Sequence, residues 1–446
     1  MTNDKNEILE GRIFPALTKF AIPILFSLIL QALYGAVDLW MVSRFGTNAD
    51  VSAVSTGSQT MLIVNGIVTG LSMGITVLLG QAKGEKNDKK AADIIGSCTW
   101  IFFVFAVIMT TILITSSESL AVLLNAPEEA FAKTKEYILI CGAGTIFVVV
   151  YNVLNGIFCG LGDSKTPLIF VGIACIVNIA ADYILIDVFN MGAKGAAIAT
   201  ISAQSVSVVL SGFIIRKKLP FNIDRKNFKF DKKLGLGILK LGFPIALLRM
   251  SNEISYLIII GLVNKLGVVA SSGVGIAEKL VMFILLIPTA YMSAISAFVA
   301  QNEGAGQKER SVKTLWIGMA TAAVIGGVIS YISFFHGDLM SLMFINDPEV
   351  IAASSTFLKA TSIECFVLSL AYCFDGYFNG IEKTSFVMIQ GVGASLLIRI
   401  PYAYFASTRA VPSLFYIGMA SAWAAIAMLI VSWVYYYIYK NKSKII

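Results

Sequence analysis

Charged residues are scarce in this chain: only 14% of its 446 residues are Asp, Glu, Lys or Arg, whereas 57% are hydrophobic and the mean hydropathy is +0.80. A water-soluble domain carries about 25% charged residues. The chain has one histidine, His336, which argues against a histidine-based metal site or catalytic triad. Its six cysteines form no CxxC motif and are interpreted as small packing residues. These shortages argue against a soluble enzyme.

Motifs that bind nucleotides or catalytic zinc are also missing. No Walker A sequence, Rossmann fingerprint or HExxH motif occurs. The sequence therefore gives no support for ATP-driven work by this chain alone, and no nucleophile–base pair can be assembled from it. We expect neither an enzyme nor a bound cofactor.

The chain contains many long hydrophobic runs. About twelve are long enough to cross a ~30 Å hydrocarbon layer, which needs ~20 residues. Because lipid offers the backbone no hydrogen-bond partner, runs of this length must be helical. We predict an all-α integral membrane protein with twelve transmembrane helices, near residues 15–41, 52–80, 94–115, 136–161, 167–187, 192–215, 237–264, 274–300, 314–335, 355–379, 386–408 and 413–439.

Basic residues cluster in alternate loops. They follow spans 2 and 8, lie between spans 6 and 7, and end the chain, whereas the opposite loops hold few basic residues and several acids. The positive-inside rule places both termini in the cytoplasm. The basic runs are thus interpreted as topology signals of a multi-pass protein of the cell (plasma) membrane, and no nucleic-acid partner is expected.

The chain repeats itself at a period of about 220 residues. LTKFAIPI matches ILKLGFPI, which puts Pro23 and Pro244 221 residues apart, and GQAKGEKNDKKA matches AQNEGAGQKERS in the same order. Each half holds six spans, so the halves share an orientation and should have a cavity between them. The predicted organisation is an N-lobe at 1–215, a cytoplasmic linker at 216–236 and a C-lobe at 237–446.

Two aspartates interrupt the apolar runs. Asp38 lies near the outer end of span 1, and Asp182 lies in span 5, one turn after Asn178. An ionisable group at bilayer depth costs at least about 2.5–3.5 kcal/mol, so it usually faces a wet interior and has a function. At ~1.5 Å of rise per residue, Thr200 of span 6 falls in the same outer half of the membrane. We predict a cation or proton site.

The residue types leave two coupling ions open. Asp38, Asn178, Asp182 and Thr200 form an oxygen-rich set, which suits a hard cation such as Na⁺. Two nearby carboxylates in a low dielectric also favour retention of a proton, which suits H⁺ exchange. The alternative interpretation is that Asp182 and Asn178 only satisfy each other in a buried helix contact.

Other polar residues are expected to line a cavity or extend this network. Two precede Asp38 on its own helix face, two add amides to span 4, and one acid in span 7 is a possible substrate contact: Gln31, Tyr34, Asn152, Asn155 and Glu253. Pro23 lies inside span 1, where proline removes a backbone hydrogen bond. It is either a static bend or a hinge that bends span 1 when Asp38 changes charge.

The acidic cluster belongs to the first half only. At the repeat offset, Asp38 maps onto Ile259, and the turn 178–182 maps near Ile398. The second half offers Arg399 there instead, and we expect this arginine to be paired inside the bundle or to lie near its cytoplasmic end. One coupling site per molecule is therefore predicted.

Six motifs occur in order along the chain: FAIPILFSLILQALYGAVDLWMVSRFG, GQAKG, NVLNGIFCGLGDSKTP, NIAADYILI, GAKGAAIATISAQ and RIP. In this combination the chain resembles the MATE (multidrug and toxic compound extrusion) family of transporters. The resemblance implies two six-helix bundles around a V-shaped central cavity, and antiport of cationic, amphipathic compounds against Na⁺ or H⁺. It also implies that Asp38, Asn178, Asp182 and Thr200 form the N-lobe cation site, with Asn155 linked to it.

The family's branches differ in the second lobe. One branch, resembling NorM, also uses acids in spans 7 and 10. In this chain the span 10 position is about Leu368, and Glu253 is about one residue out of register with the span 7 acid. The chain therefore resembles the DinF-type members more closely.

A flippase and a passive channel are the alternatives to an antiporter. A flippase for lipid-linked substrates of the same superfamily should line its cavity with several basic residues, and only Arg249, Lys279 and Arg399 are candidates. A passive channel would not need paired acids. The sequence identifies neither the physiological substrate nor the coupling ion, and we expect the protein to work as a monomer in the lipid bilayer.

Overall fold

The computed structural model describes residues 7–219, 225–409 and 411–442, and within these ranges the regular elements are helices. Eleven helical segments of the described chain are long and apolar enough to cross a membrane. A twelfth span is obtained if Glu128–Ala143 and Thr145–Leu161, which meet at a bend of 47°, count as one. The prediction of an all-α membrane protein with twelve spans is confirmed.

The helices of the first repeat run from the N-terminal segment to the linker. The fourth predicted span is the bent pair α6–α7, and α8 continues into a π-helical turn, Tyr183–Val188. The helices are α1 Glu7–Glu10, α2 Ile13–Phe45, α3 Asn48–Gly84, α4 Asp88–Thr115, α5 Ser117–Leu123, α6 Glu128–Ala143, α7 Thr145–Leu161, α8 Lys165–Asp182 and α9 Gly192–Lys218.

The second repeat follows a short 3₁₀ turn, Arg225–Phe228. Its eleventh span contains a second π-helical turn, Ala394–Arg399, between α15 and α16. The helices are α10 Lys232–Asn264, α11 Val268–Gly304, α12 Lys308–Phe335, α13 Gly337–Leu342, α14 Pro348–Gly380, α15 Thr384–Gly393, α16 Ile400–Ser407 and α17 Leu414–Lys442.

The helices group into two compact units. One unit is Ile22–Ala246, and the other contains the chain up to Ala21 together with Leu247–Ile446. The divisions fall inside α2 and α10, close to Pro23 and Pro244, so the start of each of these helices packs with the helices of the other repeat. The lobe limits drawn from the sequence, at 215 and 237, stay a prediction.

The linker segment packs onto α4 in the unit Ile22–Ala246. The indole N–H of Trp100 donates to the Phe228 carbonyl oxygen at 2.6 Å, and the Asn227 side chain donates to Asp93 at 2.8 Å. A Cβ at Gly96 would collide with the Asn227 carbonyl oxygen, so glycine is required at this contact. Residues 220–224 of the predicted linker lie outside the described residues, and α10 begins at Lys232, before the predicted end of the linker.

Close packing of α7 on α3 fixes the interior of this unit. A Cβ at Gly156 would lie 2.9 Å from the Ser72 carbonyl oxygen, and one at Gly160 would lie 2.9 Å from that of Thr76. Thr76 Oγ1 donates to the Gly156 carbonyl oxygen at 3.1 Å. Small residues spaced by four on one helix face permit such an approach.

A polar junction joins the ends of α3, α6 and α9. Thr47 caps α3, and its N–H and hydroxyl donate to Asp50 Oδ2 at 3.0 and 2.6 Å. The same carboxylate pairs with Lys133 of α6 at 2.8 Å and accepts the Ala193 N–H of α9 at 3.0 Å. Because Gly192 adopts φ +53 against this carboxylate, it allows α9 to begin there. The junction thereby sets the position of Thr200, about two turns further along α9.

Candidate cation site

Four side chains from three helices meet in the interior of the unit Ile22–Ala246. Asp38 of α2 is 5% exposed, and Thr200 Oγ1 of α9 donates a hydrogen bond to its Oδ2 at 2.8 Å. Asn178 and Asp182 of α8 are fully buried and face the same carboxylate. The structure therefore brings together all four residues that the sequence singled out.

The polar atoms of this group are incompletely satisfied. Asp38 Oδ1, both amide atoms of Asn178 and both carboxylate oxygens of Asp182 form no hydrogen bond of good geometry with another described residue. A buried polar group left without a partner costs about 1–3 kcal/mol, and more if it is charged. The interpretation that Asn178 and Asp182 only satisfy each other does not describe this geometry.

Local helix geometry directs the two α8 side chains to one point. Asn178 and Asp182 are four residues apart, so they lie on the same helix face. The π-helical turn Tyr183–Val188 begins immediately after Asp182. Such turns occur frequently at functional sites because they locally widen the helix.

A second layer of polar residues covers the Asp38 carboxylate. Tyr34, one turn before Asp38 on α2, lies within electrostatic range of it. Gln204 of α9 donates to the Tyr34 hydroxyl at 3.3 Å. Sequence reasoning did not select Gln204, although it follows Thr200 by four residues and so shares its face.

Two predicted network residues have other partners. The Gln31 amide donates to the Ser27 carbonyl oxygen of its own helix at 3.2 Å. Asn152 belongs to a separate network, in which it donates to Asn65 Oδ1 at 3.1 Å and accepts the Thr69 hydroxyl at 3.1 Å. Both partners, Asn65 and Thr69, lie on α3. This helix contributes none of the four residues of the candidate cation site.

Asn155 and Glu253 likewise interact with residues outside this group of four. Asn155 accepts a hydrogen bond from the Cys159 thiol at 3.5 Å, one turn along α7. Glu253 is exposed and belongs to the other compact unit. Arg249, one turn earlier, acts on it electrostatically.

Pro23 lies inside α2, fifteen residues before Asp38. The Ser27 hydroxyl donates to the Pro23 carbonyl oxygen at 2.9 Å. The division between the two compact units falls between Ala21 and Ile22, directly before this proline. A point where the helix lacks a backbone hydrogen bond thus coincides with the point where it changes packing partners.

The donor set fits a small hard cation or a proton. Two carboxylates, an amide oxygen and a hydroxyl are the ligand types that alkali and alkaline-earth cations prefer. The three helices α2, α8 and α9 supply them from one compact unit. A cation there would neutralise buried negative charge that otherwise has a large desolvation cost.

Arg399 occupies the interior of the other unit, as expected from its sequence position. Its Nη2 pairs with Glu364 Oε1 at 3.2 Å, and both side chains are almost wholly buried. The prediction that this arginine is paired inside the bundle is confirmed. The sequence analysis did not select Glu364, because its partner lies on another helix.

Comparisons with known proteins agree with the repeat. The MatE family model matches residues 23–184 and again residues 244–405, so the two matches are offset by 221 residues. This register places Arg399 at the position of Asn178, one residue from the alignment drawn from the sequence alone.

Relatives and solved structures match over nearly the full length. The chain is 28% identical to the "Probable multidrug resistance protein YpnP" of Bacillus subtilis (strain 168) over 89% of both chains. It is 23% identical to the "FAD transporter" of Shewanella oneidensis, over 90% of this chain and 89% of the relative. A solved multidrug resistance MATE family transporter in an outward-facing conformation superimposes with a TM-score of 0.91, at 19% identity, over 100% of each chain.

Duplicated bundles of membrane-spanning helices with intramembrane acids define the class: a multi-pass membrane transporter. The two family matches cover most of the chain in two successive halves. The chain belongs to the MatE family.

Proposed function

We propose that this protein is a secondary active multidrug efflux antiporter, which exports cationic, amphipathic compounds in exchange for Na⁺ or H⁺. Coupling takes place at Asp38, Asn178, Asp182 and Thr200. The protein acts as a monomer in the cell membrane with both termini in the cytoplasm. The substrate class follows from the family and from relatives named as multidrug resistance proteins.

One observation carries the proposal: Asp38, Asn178 and Asp182 face one another in the interior, and Asp38 Oδ1, the Asn178 amide and both Asp182 oxygens form no hydrogen bond of good geometry with the described residues. An ionisable group at membrane depth is by default a functional group. Two aspartates with no basic side chain acting on them in the described ranges are best neutralised by an exchangeable cation.

The proposed transport cycle depends on the negative charge of Asp38 and Asp182. A cation that enters from outside neutralises Asp38 and Asp182 and removes their mutual repulsion. The α2 segment beyond Pro23 can then move towards α8 and α9, because proline leaves the helix one backbone hydrogen bond short at that point. The bound compound is released outward, and return of the helix releases the cation inward.

The second repeat supports placement in the DinF-type branch rather than with NorM. The span 10 position that carries an acid in NorM-like members is Leu368 here, and it is buried among apolar residues. Glu253 is exposed rather than part of a buried acidic pair. Coupling is therefore assigned to the first repeat alone.

The test is ethidium efflux from proteoliposomes with an imposed Na⁺ or H⁺ gradient, for the wild type and Asp38→Asn. We expect efflux that depends on one of the gradients in the wild type and falls to the level of protein-free vesicles in the variant. The ion whose gradient drives efflux is then the coupling ion.

Asp375→Asn is the matched control. This buried carboxylate lies on α14 and already accepts a hydrogen bond from Gln390 at 2.7 Å. The control variant should keep gradient-driven efflux. Normal efflux from folded Asp38→Asn protein would refute the proposal.

A flippase for lipid-linked substrates of the same superfamily is the alternative. Absence of ethidium efflux under either gradient, from folded protein, would favour it. The relative named "FAD transporter" makes FAD a useful further compound for the same assay.

A further inference from the structure

The second repeat has its own buried polar centre. Glu364 of α14 is fully buried, and its Oε1 accepts hydrogen bonds from Arg399 Nη2 at 3.2 Å and from the Tyr256 hydroxyl at 3.1 Å. The Arg399 guanidinium lies over the Tyr256 ring at 4.7 Å from the ring centre. Glu278 of α11 lies within electrostatic range of both charged groups. All four residues belong to one compact unit.

Two positions of this centre correspond to positions of the cation site in the first repeat, although Glu364 lies on a later span of its repeat than Asp38 does. In the register of the family matches, Arg399 takes the position of Asn178. Ser421 lies beside Glu364, about two turns into α17, as Thr200 lies beside Asp38 two turns into α9. Each centre thus combines a buried acid, a hydroxyl from the last helix of its repeat and a polar side chain from the preceding span.

The two centres differ in their charge. The first contains Asp38 and Asp182, and no basic side chain of the described residues acts on them. The second contains Glu364 and Glu278, and one guanidinium within its interior. Unpaired polar atoms remain there: Glu364 Oε2, Arg399 Nε and Arg399 Nη1 form no hydrogen bond of good geometry with the described residues.

We propose that the second repeat holds a monovalent-cation site of the same kind as the first, and that the guanidinium of Arg399 is its permanently tethered cation. The carboxylate of Glu364 is the counter-charge. Because Arg399 cannot leave, this lobe takes up no external ion, and the molecule exchanges ions at one centre instead of two.

Arg399 keeps external ions out of this centre because an unpaired buried charge has a large free-energy cost. Removing one partner of a buried ion pair is strongly destabilising, whereas removing both is often nearly neutral. Without Arg399, Glu364 needs a positive charge from elsewhere, and a small cation or a proton is the group that can enter. Asparagine at this position reproduces the residue that the first repeat has there.

The test measures thermal unfolding of the purified full-length protein against Na⁺ concentration, with choline as the balancing ion, at several pH values. The first repeat is silenced by Asp38→Asn with Asp182→Asn. In that background the melting temperature should not respond to Na⁺. Adding Arg399→Asn should create a response, either a rise of about 2 °C for each tenfold increase in Na⁺ or a rise on acidification.

Two further variants control for this result. Arg399→Lys keeps a tethered positive charge and should create no response. Glu364→Gln, added to Arg399→Asn, should abolish the new response because it removes the acid that binds the ion. A folded Arg399→Asn protein that melts at the same temperature whatever the Na⁺ concentration and pH would overturn the proposal.

Loss of folding is also informative. If the Arg399→Asn protein cannot be purified in folded form, adding Glu364→Gln should restore folding, because no unpaired carboxylate then remains. Failure of that double variant to fold would overturn the proposal, since the missing charge would not be the defect.

The inference rests on the proposed cation chemistry of the first repeat, but its measurement does not. If the proposed function is wrong, transport by the wild type will depend on neither the Na⁺ nor the H⁺ gradient. The Arg399 response is read in a background where the first repeat is silent.

Discussion

Each repeat has a buried polar centre, and the two centres differ in the charges that they contain. In the first, Asp38 and Asp182 face each other with an amide and a hydroxyl. In the second, Glu364 is held by Arg399 and Tyr256. In the proposal above, Arg399 takes the place of an exchangeable ion, so the duplicated fold would exchange an ion in one repeat only.

The comparison also predicts which of the two centres binds and releases a proton or a cation. An ion pair inside a low dielectric is held by a strong local attraction and has little reason to dissociate. Two acids without a counter-charge change their interactions whenever a proton or cation arrives. We therefore expect the first repeat, which has no such ion pair at its acids in the described residues, to respond to protons or cations.

The largest expected effect in this comparison is the loss of Asp182. Asp182→Asn removes half of the negative charge of the first centre, so gradient-driven efflux should fall to the level of protein-free vesicles. Folding should be retained, because an amide is easier to bury than an unpaired carboxylate. Efflux in proteoliposomes, with Asp375→Asn as control, checks this; wild-type coupling in folded Asp182→Asn protein would show that Asp38 suffices.

An intermediate effect is expected from the two corresponding hydroxyls. Thr200→Val removes the 2.8 Å hydrogen bond to Asp38, and a hydrogen bond to a charged group contributes about 1.5–3 kcal/mol. The apparent affinity for the coupling ion should therefore weaken by about tenfold, and Thr200→Ser should restore it. Ser421→Ala, beside the paired Glu364, should leave this affinity unchanged. Equal effects of the two variants on ion affinity would break the distinction between the repeats.

The smallest effect is expected from the two corresponding prolines. Pro23→Ala lets residue 23 donate a backbone hydrogen bond to the Lys19 carbonyl oxygen, which stiffens α2. Transport should slow several-fold while the ion still protects the protein against heat. Pro244→Ala, in the repeat for which no exchangeable ion is proposed, should slow transport less. Stopped-flow efflux and thermal unfolding separate the two effects; identical rates for wild type and Pro23→Ala would identify the proline as a static bend.

The sequence by itself determined the membrane architecture and the repeat. Hydrophobic runs long enough to span a bilayer can only be helices, so the spans followed from composition and length. The repeat landmarks Pro23 and Pro244 lie at the same offset as the two family matches. The four candidate cation residues also followed from the sequence, because acids are rare and costly at bilayer depth.

Only the tertiary structure decided which polar groups meet. Asn152 and Asn155 have suitable chemistry but turn to Asn65 and Cys159, since helix rotation selects their partners. The pairing of Glu364 with Arg399 joins two residues that are 35 positions apart in the chain and lie on different helical segments, which no local pattern encodes. A linear sequence shows the cost of each buried charge, whereas the packing of separate helices decides whether a protein group or an ion neutralises it.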